Sequence, residues 1–235
     1  LFLLTGEYAG ENLTSFEYLS QSSLLLTLKH GHIKTPLKDV SLPCYALIEL
    51  STSEPDHAQV MLENLLSSSK CMELVKEAYL ASSSQQAALL WQLRENMSEA
   101  QKKEGGSIKH DISLPLKEIP EFLLKASQLV EKICPGARPV PFGHIGDGNI
   151  HYNVSQPVQM NKSDFLRYWD PMTQAIHDLV SQMQGSFAAE HGIGRAKREE
   201  LMRLKNPIDL DLMRTIKRAL DPKGILNPRK LLTLS

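Results

Sequence analysis

Two histidines flank a glycine-rich turn in the segment Phe142-Gly-His-Ile-Gly-Asp-Gly-Asn-Ile-His-Tyr-Asn153. Asp147-Gly148 is a strong two-residue hairpin signal, because a type I′ turn needs positive φ at both central positions. With that turn, His144 faces His151 directly, and the two Cβ atoms lie roughly 5 Å apart on one face of a sheet. Asn153, two residues further on, projects from the same face. Imidazoles at this spacing can share a metal ion; the competing reading is a pair of sheet histidines bonded to their neighbours. A further donor stands in Ala189-Glu-His-Gly-Ile-Gly194, where two glycines indicate a tight loop. Glu190 would complete a set of two histidines and one carboxylate, with positions open for water or substrate. His191 beside it would be free to act as a base. By spacing alone, Glu190-His191 reads equally well as a capping pair before a helix over 195–204.

Chemistry on an acid also calls for cations. Arg94 and Ser98, four apart on an expected helix, share one face. Lys109 lies on the polar side of the strand that follows. A planar arginine fork, a lysine point charge and a hydroxyl suit a carboxylate. In a chain with 26 Lys and Arg residues, ordinary surface charge is the competing reading.

These side chains need a fold to hold them. Hydrophobic residues make up 42% of the 235 and charged ones 23%, ordinary values for a domain with a sizeable core. A formal net charge of −1 argues against a nucleic-acid partner. No apolar run approaches the ~20 residues of a spanning helix. Three cysteines without metal-type spacing point to a reducing compartment; the expected localisation is cytoplasmic, or mitochondrial for a eukaryotic source. Residues 1–40 show no clear period. Strands are expected over 45–50, ended by a turn at 51–55, around 72–79 and over 107–114, with a hairpin in 140–154. Helices are expected over 58–66, 85–102, 118–133, 165–183 (interrupted before Pro171) and from Asp209, as N-cap, to Leu220. On the last of these, Leu210, Met213, Ile216 and Leu220 form one apolar face. The tight hairpin favours an α+β fold, an antiparallel sheet flanked by helices, over a purely parallel α/β one.

Three segments now fall into a pattern. Gly143-His-Ile-Gly-Asp-Gly-Asn-Ile-His151, Ala189-Glu-His-Gly-Ile-Gly194 and Leu220-Asp-Pro-Lys-Gly-Ile-Leu-Asn-Pro-Arg-Lys230 resemble, in this order, the C-terminal domain of FAD-linked oxidases. These are flavoproteins of the vanillyl-alcohol-oxidase type that oxidise D-2-hydroxy acids. The similarity runs from about Gly10 to Leu232. Leu90-Trp-Gln-Leu-Arg-Glu95 and Lys109-His-Asp-Ile-Ser-Leu-Pro115, with segments 14–18 and 45–50, are most similar to members acting on D-2-hydroxyglutarate.

The resemblance implies a ferredoxin-like antiparallel sheet with a helical C-terminal segment, a cap over the flavin. Residues 1–235 would form the substrate- and metal-binding domain, with the FAD-binding domain outside this sequence. Position by position, it implies His144, His151 and Glu190 as ligands of a divalent metal, zinc first and manganese or iron as alternatives. It implies His191 as the catalytic histidine, and Arg94, Ser98, Lys109, Asn153 and His191 as substrate contacts. Asn227, in the Asn-Pro-Arg-Lys stretch, would approach the flavin. Ser98 stands where the resembled members carry threonine, and His110 where they carry another aromatic. Two cations beyond the metal favour a dicarboxylate such as D-2-hydroxyglutarate; D-lactate and glycolate are the alternatives within the family. A metal-dependent hydrolase and a non-catalytic metal-binding domain are alternatives of other classes. The implied partners are a small 2-hydroxy acid, the FAD domain, an electron acceptor and a second copy in a homodimer.

Overall fold

The computed structural model describes residues 1–54 and 56–232 of the chain. Pro55, the end of the expected 51–55 turn, and residues 233–235 lie outside them. Among the described residues six strands, β1 (Leu13–Ser20), β2 (Cys44–Leu50), β3 (Ser107–Ile108), β4 (Asp111–Ser113), β5 (Arg138–His144) and β6 (Asn149–Ser155), form one antiparallel sheet. Its order is β2-β1-β5-β6, with β3 and β4 both against the far edge of β6. The helices are α1 (Phe2–Ala9), α2 (Gln21–Gly31), α3 (His57–Ser67), α4 (Ser69–Leu74), α5 (Ser84–Glu95), α6 (Met97–Lys102), α7 (Ile119–Ile133), α8 (Lys162–Phe165), α9 (Trp169–Gln182), α10 (Arg198–Leu204) and α11 (Pro207–Leu220).

Alternation along the strands separates two faces. Ile108 and Ile112, Ile150, Tyr152 and Val154 all point to one side, where Phe122, Ala126 and Val130 of α7 and Met172, Ile176 and Val180 of α9 meet them. Each such buried side chain contributes roughly 1.5–3 kcal/mol, and this face is the main core. The opposite face carries Glu17, Phe142, His144, His151 and Asn153. There Leu19 and Phe142 pack against Met97 of α6, in a smaller cluster. The polar side of the alternation therefore faces inward, toward the functional groups.

β3 and β4 share one register with β6: Ile108 pairs with Val154, and Asp111 with His151. They are one strand broken at Lys109-His110, and continuing the register sets Lys109 across from Asn153. On the other side of β6, the ladder from β5 to β1 begins only at Phe142. Pro139 and Pro141, which precede it, have no N–H to donate.

The hairpin differs from the expected one in its turn. Phe142, not His144, pairs with His151. The connection is a 3₁₀ turn, Ile145–Asp147, closed by Gly148 at φ 72°. A Cβ at Gly148 would lie 2.3 Å from the carbonyl oxygen of Leu114, so glycine serves close packing here as well as backbone geometry. A register shift of two preserves sidedness, and both histidines stay on one face.

Other expectations change too. Residues 1–40 hold α1, β1 and α2. The expected strand at 72–79 is the end of α4 followed by irregular chain, and the 85–102 helix is broken at Asn96. Helix α11 is capped by Asn206, whose side chain accepts from Ile208 N–H, and Asp209 lies inside its first turn. Its Leu210 and Met213 pack against Leu201 of α10 and Leu232. Ile216 and Leu220 are exposed, because α11 turns only part of a wide apolar arc inward.

Break residue His110 is buried on the α9 side. Its Nδ1 bonds the carbonyl of Tyr152 at 2.8 Å, and Nε2 has no partner among the described residues. Burial pushes its pKa down to about 3; in the unfolded chain it titrates near 6.5. The stability this neutral ring carries is therefore complete above pH ~6.5 and is lost as pH falls, by about 1.4 kcal/mol per unit. In urea titrations at pH 7.5 and pH 5, His110→Phe should lose less stability on acidification than the unsubstituted chain. An equal acid-side loss would contradict this.

Candidate metal centre

β5 and β6 place His144 and His151 diagonally across the hairpin, with ring centroids 6.2 Å apart. The loop after α9 brings in the third group. Ser186 pairs with Ser113 at the outer edge of β4, and Ala189 N–H donates to the Asp111 carbonyl. The side chain of Asp111 then accepts the backbone N–H groups of Glu190 at 2.9 Å and His191 at 2.8 Å through Oδ2. Glu190 is thereby held with Oε1 3.4 Å from His144 Nε2 and Oε2 3.7 Å from His151 Nε2. One ligand atom from each of the three residues lies within 4.8 Å of the others.

Each histidine has a carboxylate behind it. His144 Nδ1 lies 2.7 Å from Glu17 Oε1. The acid is 1% exposed and sits directly across from His144 in the β1–β5 ladder. A carboxylate only accepts, so His144 donates to it from Nδ1, and Nε2 is the ring nitrogen that faces Glu190. Burial pushes the Glu17 carboxyl up, but the His144 bond, Arg94 and Ser15 outweigh it, and the net shift is down. His151 Nδ1 is 3.5 Å from Asp111 Oδ1, a buried atom with no hydrogen-bond partner among the described residues. For Asp111 burial again raises the carboxyl, and the N–H groups of His191 and Glu190 bring it below its ordinary value. Burial lowers His151 against the opposing pull of Glu190 and Asp111, which favours the neutral, ligating form.

Arg94, at the end of α5, is 8% exposed. Its Nε donates to Glu17 Oε2 at 2.7 Å, its Nη2 lies 3.4 Å from His144 Nε2, and its Cζ sits 5.0 Å over the Phe142 ring. His191 is largely exposed, with its ring stacked 5.9 Å from that of His151 and Nδ1 3.6 Å from Asp111 Oδ2. Its Nε2 is the nitrogen left for a substrate. Asn153 is buried and donates to Gln101 of α6 at 2.9 Å, and Gln101 donates to Ser155.

Contact therefore brings together His144, His151, Glu190, His191 and Arg94. Lys109 reaches the same face by register. Its ammonium is held below its ordinary pKa by partial desolvation and by Lys102. Ser98 lies on α6 beside Met97. Neither Ser98 nor Lys109 bonds to the cluster among the described residues. Asn227 sits in the exposed C-terminal stretch at φ 48°. That stretch is tied to the Glu190 loop further on, where Leu231 N–H donates to the Gly194 carbonyl.

Sequence reasoning assigned no role to Glu17 or Asp111. Asp111 lies on the polar side of an alternating strand, where an acid reads as solvated surface, and Glu17 lies in a segment without a clear period.

The donor set fits a divalent cation. Glu17, Asp111 and Glu190 bring three carboxylates around the imidazoles, and among the described residues Arg94 alone opposes them by direct contact. The remaining double negative charge is one such an ion would balance.

The family described as FAD linked oxidases, C-terminal domain, matches residues 6–231. The chain belongs to that family. It is 33% identical over 222 residues to a D-2-hydroxyglutarate dehydrogenase of Stutzerimonas stutzeri (strain A1501), covering 94% of this chain and 47% of that protein. It is 36% identical over 224 residues to the D-2-hydroxyglutarate dehydrogenase, mitochondrial, of Arabidopsis thaliana, covering 95% and 38%. The corresponding protein of Rattus norvegicus is 34% identical over 224 residues, covering 95% and 40%. The chain spans less than half the length of these relatives. Its antiparallel sheet flanked by helices is the α+β architecture expected for a member of this family. Among the described residues no helix is long and apolar enough to cross a membrane.

The Asp111 carboxylate adds two bonds, to Glu190 and His191, beyond the backbone bonds that hold this loop to β4. In Asp111→Ala, hydrogen exchange at the amides of Glu190 and His191 should quicken by about tenfold or more, the equivalent of one charge-assisted bond. Unchanged protection would mean the loop is held by other contacts.

Proposed function

We propose that this chain is the substrate- and metal-binding portion of an FAD-dependent dehydrogenase that oxidises a D-2-hydroxy acid, with D-2-hydroxyglutarate as the substrate. The observation that carries this reading is the convergence of His144 Nε2, His151 Nε2 and the Glu190 carboxylate beside a buried arginine. The names of the relatives support the choice of substrate.

His144, His151 and Glu190 would hold the cation, zinc first and manganese or iron as alternatives, since all accept imidazole and carboxylate ligands. When bound, the cation would lower the pKa of the substrate hydroxyl, and FAD, held by a domain outside this chain, would accept hydride. His191 takes the hydroxyl proton at Nε2, the nitrogen turned away from Asp111. Asp111, facing Nδ1, stabilises the imidazolium that results. Arg94 offers its Nη groups to a carboxylate. Lys109 and Ser98, with Asn153 on the same face, receive the second carboxylate of a dicarboxylic substrate. The mitochondrial names of the eukaryotic relatives make that compartment the choice for a eukaryotic source. An electron acceptor and a homodimer belong to the whole enzyme.

Metal analysis of the purified chain at neutral pH, without chelator, should find about one divalent ion per chain, and far less in His144→Ala. No stoichiometric metal in the unsubstituted chain would sink the reading. In the full-length flavoprotein, Lys109→Ala should lower D-2-hydroxyglutarate oxidation by about a hundredfold, the scale of a charged hydrogen bond, and oxidation of D-lactate, which has no second carboxylate, much less. Equal losses would count against a second-carboxylate role for Lys109.

A further inference from the structure

We propose that Glu17 is the positioning residue of this centre, a single carboxylate that fixes the ligating tautomer of His144 and the direction of Arg94 together. The inference rests on the metal-site reading above. Glu17 Oε1 accepts from His144 Nδ1 at 2.7 Å and from the Ser15 hydroxyl at 2.8 Å, while Oε2 accepts from Arg94 Nε at 2.7 Å. At 1% exposure, water does not compete for these oxygens. The carboxylate cannot turn without losing bonds to two separate elements, α5 and β5.

Each bond has a consequence at the site. A carboxylate on Nδ1 turns the Nε2 lone pair of His144 toward Glu190 and raises the ring's strength as a ligand. The bond to Arg94 Nε anchors the guanidinium at one edge. Its Nη2 is left 3.4 Å from His144 Nε2, with the Phe142 ring 5.0 Å beneath Cζ. The anion-binding end of Arg94 therefore points to the place where the ligand atoms converge. An acid serving only to neutralise a buried arginine would need no bond to His144. The β1–β5 register supplies one by setting Glu17 opposite His144.

The test compares zinc binding by the 235-residue chain, its Glu17→Gln variant and its Glu17→Asp variant, through competition with a chromogenic chelator. Ring ¹⁵N shifts of His144 are recorded in parallel. Glu17→Gln should bind zinc about ten- to hundredfold more weakly, the usual effect of removing such an outer partner. Glu17→Asp, too short to reach both partners, should fall between. The unsubstituted chain should show the His144 proton on Nδ1, and Glu17→Gln a mixture of tautomers. Zinc binding by Glu17→Gln within about twofold of the original would overturn the proposal. So would a His144 proton on Nε2 in the original chain, a measurement that needs no variant to fold. If the original chain takes up none of zinc, manganese or iron, the metal-site reading falls and this inference with it. If it binds zinc and Glu17→Gln binds as well, only the inference falls.

Discussion

One buried carboxylate, that of Asp111, joins the three parts of the candidate site. Glu190 and His191 lie in an irregular loop with no ladder of its own, and their N–H groups meet on a single oxygen of that side chain. Burying a carboxylate is costly unless its lone pairs are filled, and two backbone donors fill those of Oδ2. The other oxygen faces His151, its cross-strand neighbour. Sheet, loop and imidazole are thus fastened at one point. Its position follows from the β4–β6 register, which places an acid on the side away from the α7–α9 core.

That core does the supporting work from the other face. Apolar residues of β3, β4 and β6 pack against α7 and α9 with almost no exposure. The strands that carry His151 and Asp111 therefore cannot slip without exposing Ile112, Ile150 and Tyr152. A slip of one residue would exchange the faces entirely. Rigidity at the site is paid for on the side of the sheet that performs no chemistry.

The same parity explains what could be read before the fold was known. Taking Asp147-Gly148 as a two-residue turn misplaces the pairing by two, yet His144 and His151 remain on one face, because sidedness repeats every second residue. Alternation in 107–114 correctly assigns Ile108 and Ile112 to the core and Asp111 to the other side. The first 40 residues were opaque for a different reason. Helix α2 begins directly at the end of β1, with Ser20 as its cap, so no glycine or proline marks the change from one period to the other. The strand expected over 72–79 failed because short apolar runs do not separate helix from strand. Glu17 was out of reach because its partners, Arg94 and His144, are 77 and 127 residues away along the chain. A lone acid in a strand looks alike in sequence whether it meets water or an arginine.

Electrostatics ties these levels together. A near-neutral chain still concentrates three carboxylates and one guanidinium around three imidazoles. Breaking a buried pair such as Glu17–Arg94 by removing one partner costs about 3–5 kcal/mol, so neither member is cheaply dispensable to the fold. Replacing such a pair with apolar residues is often neutral or stabilising, and stability alone therefore does not account for this group. The arrangement makes physical sense when the acids are set against something else: two through the imidazoles they face, and one directly toward the point where the rings converge. With a divalent cation at that point the cluster's formal charge would be zero, and Arg94, its own charge already met by Glu17, could still turn its Nη groups to an incoming carboxylate.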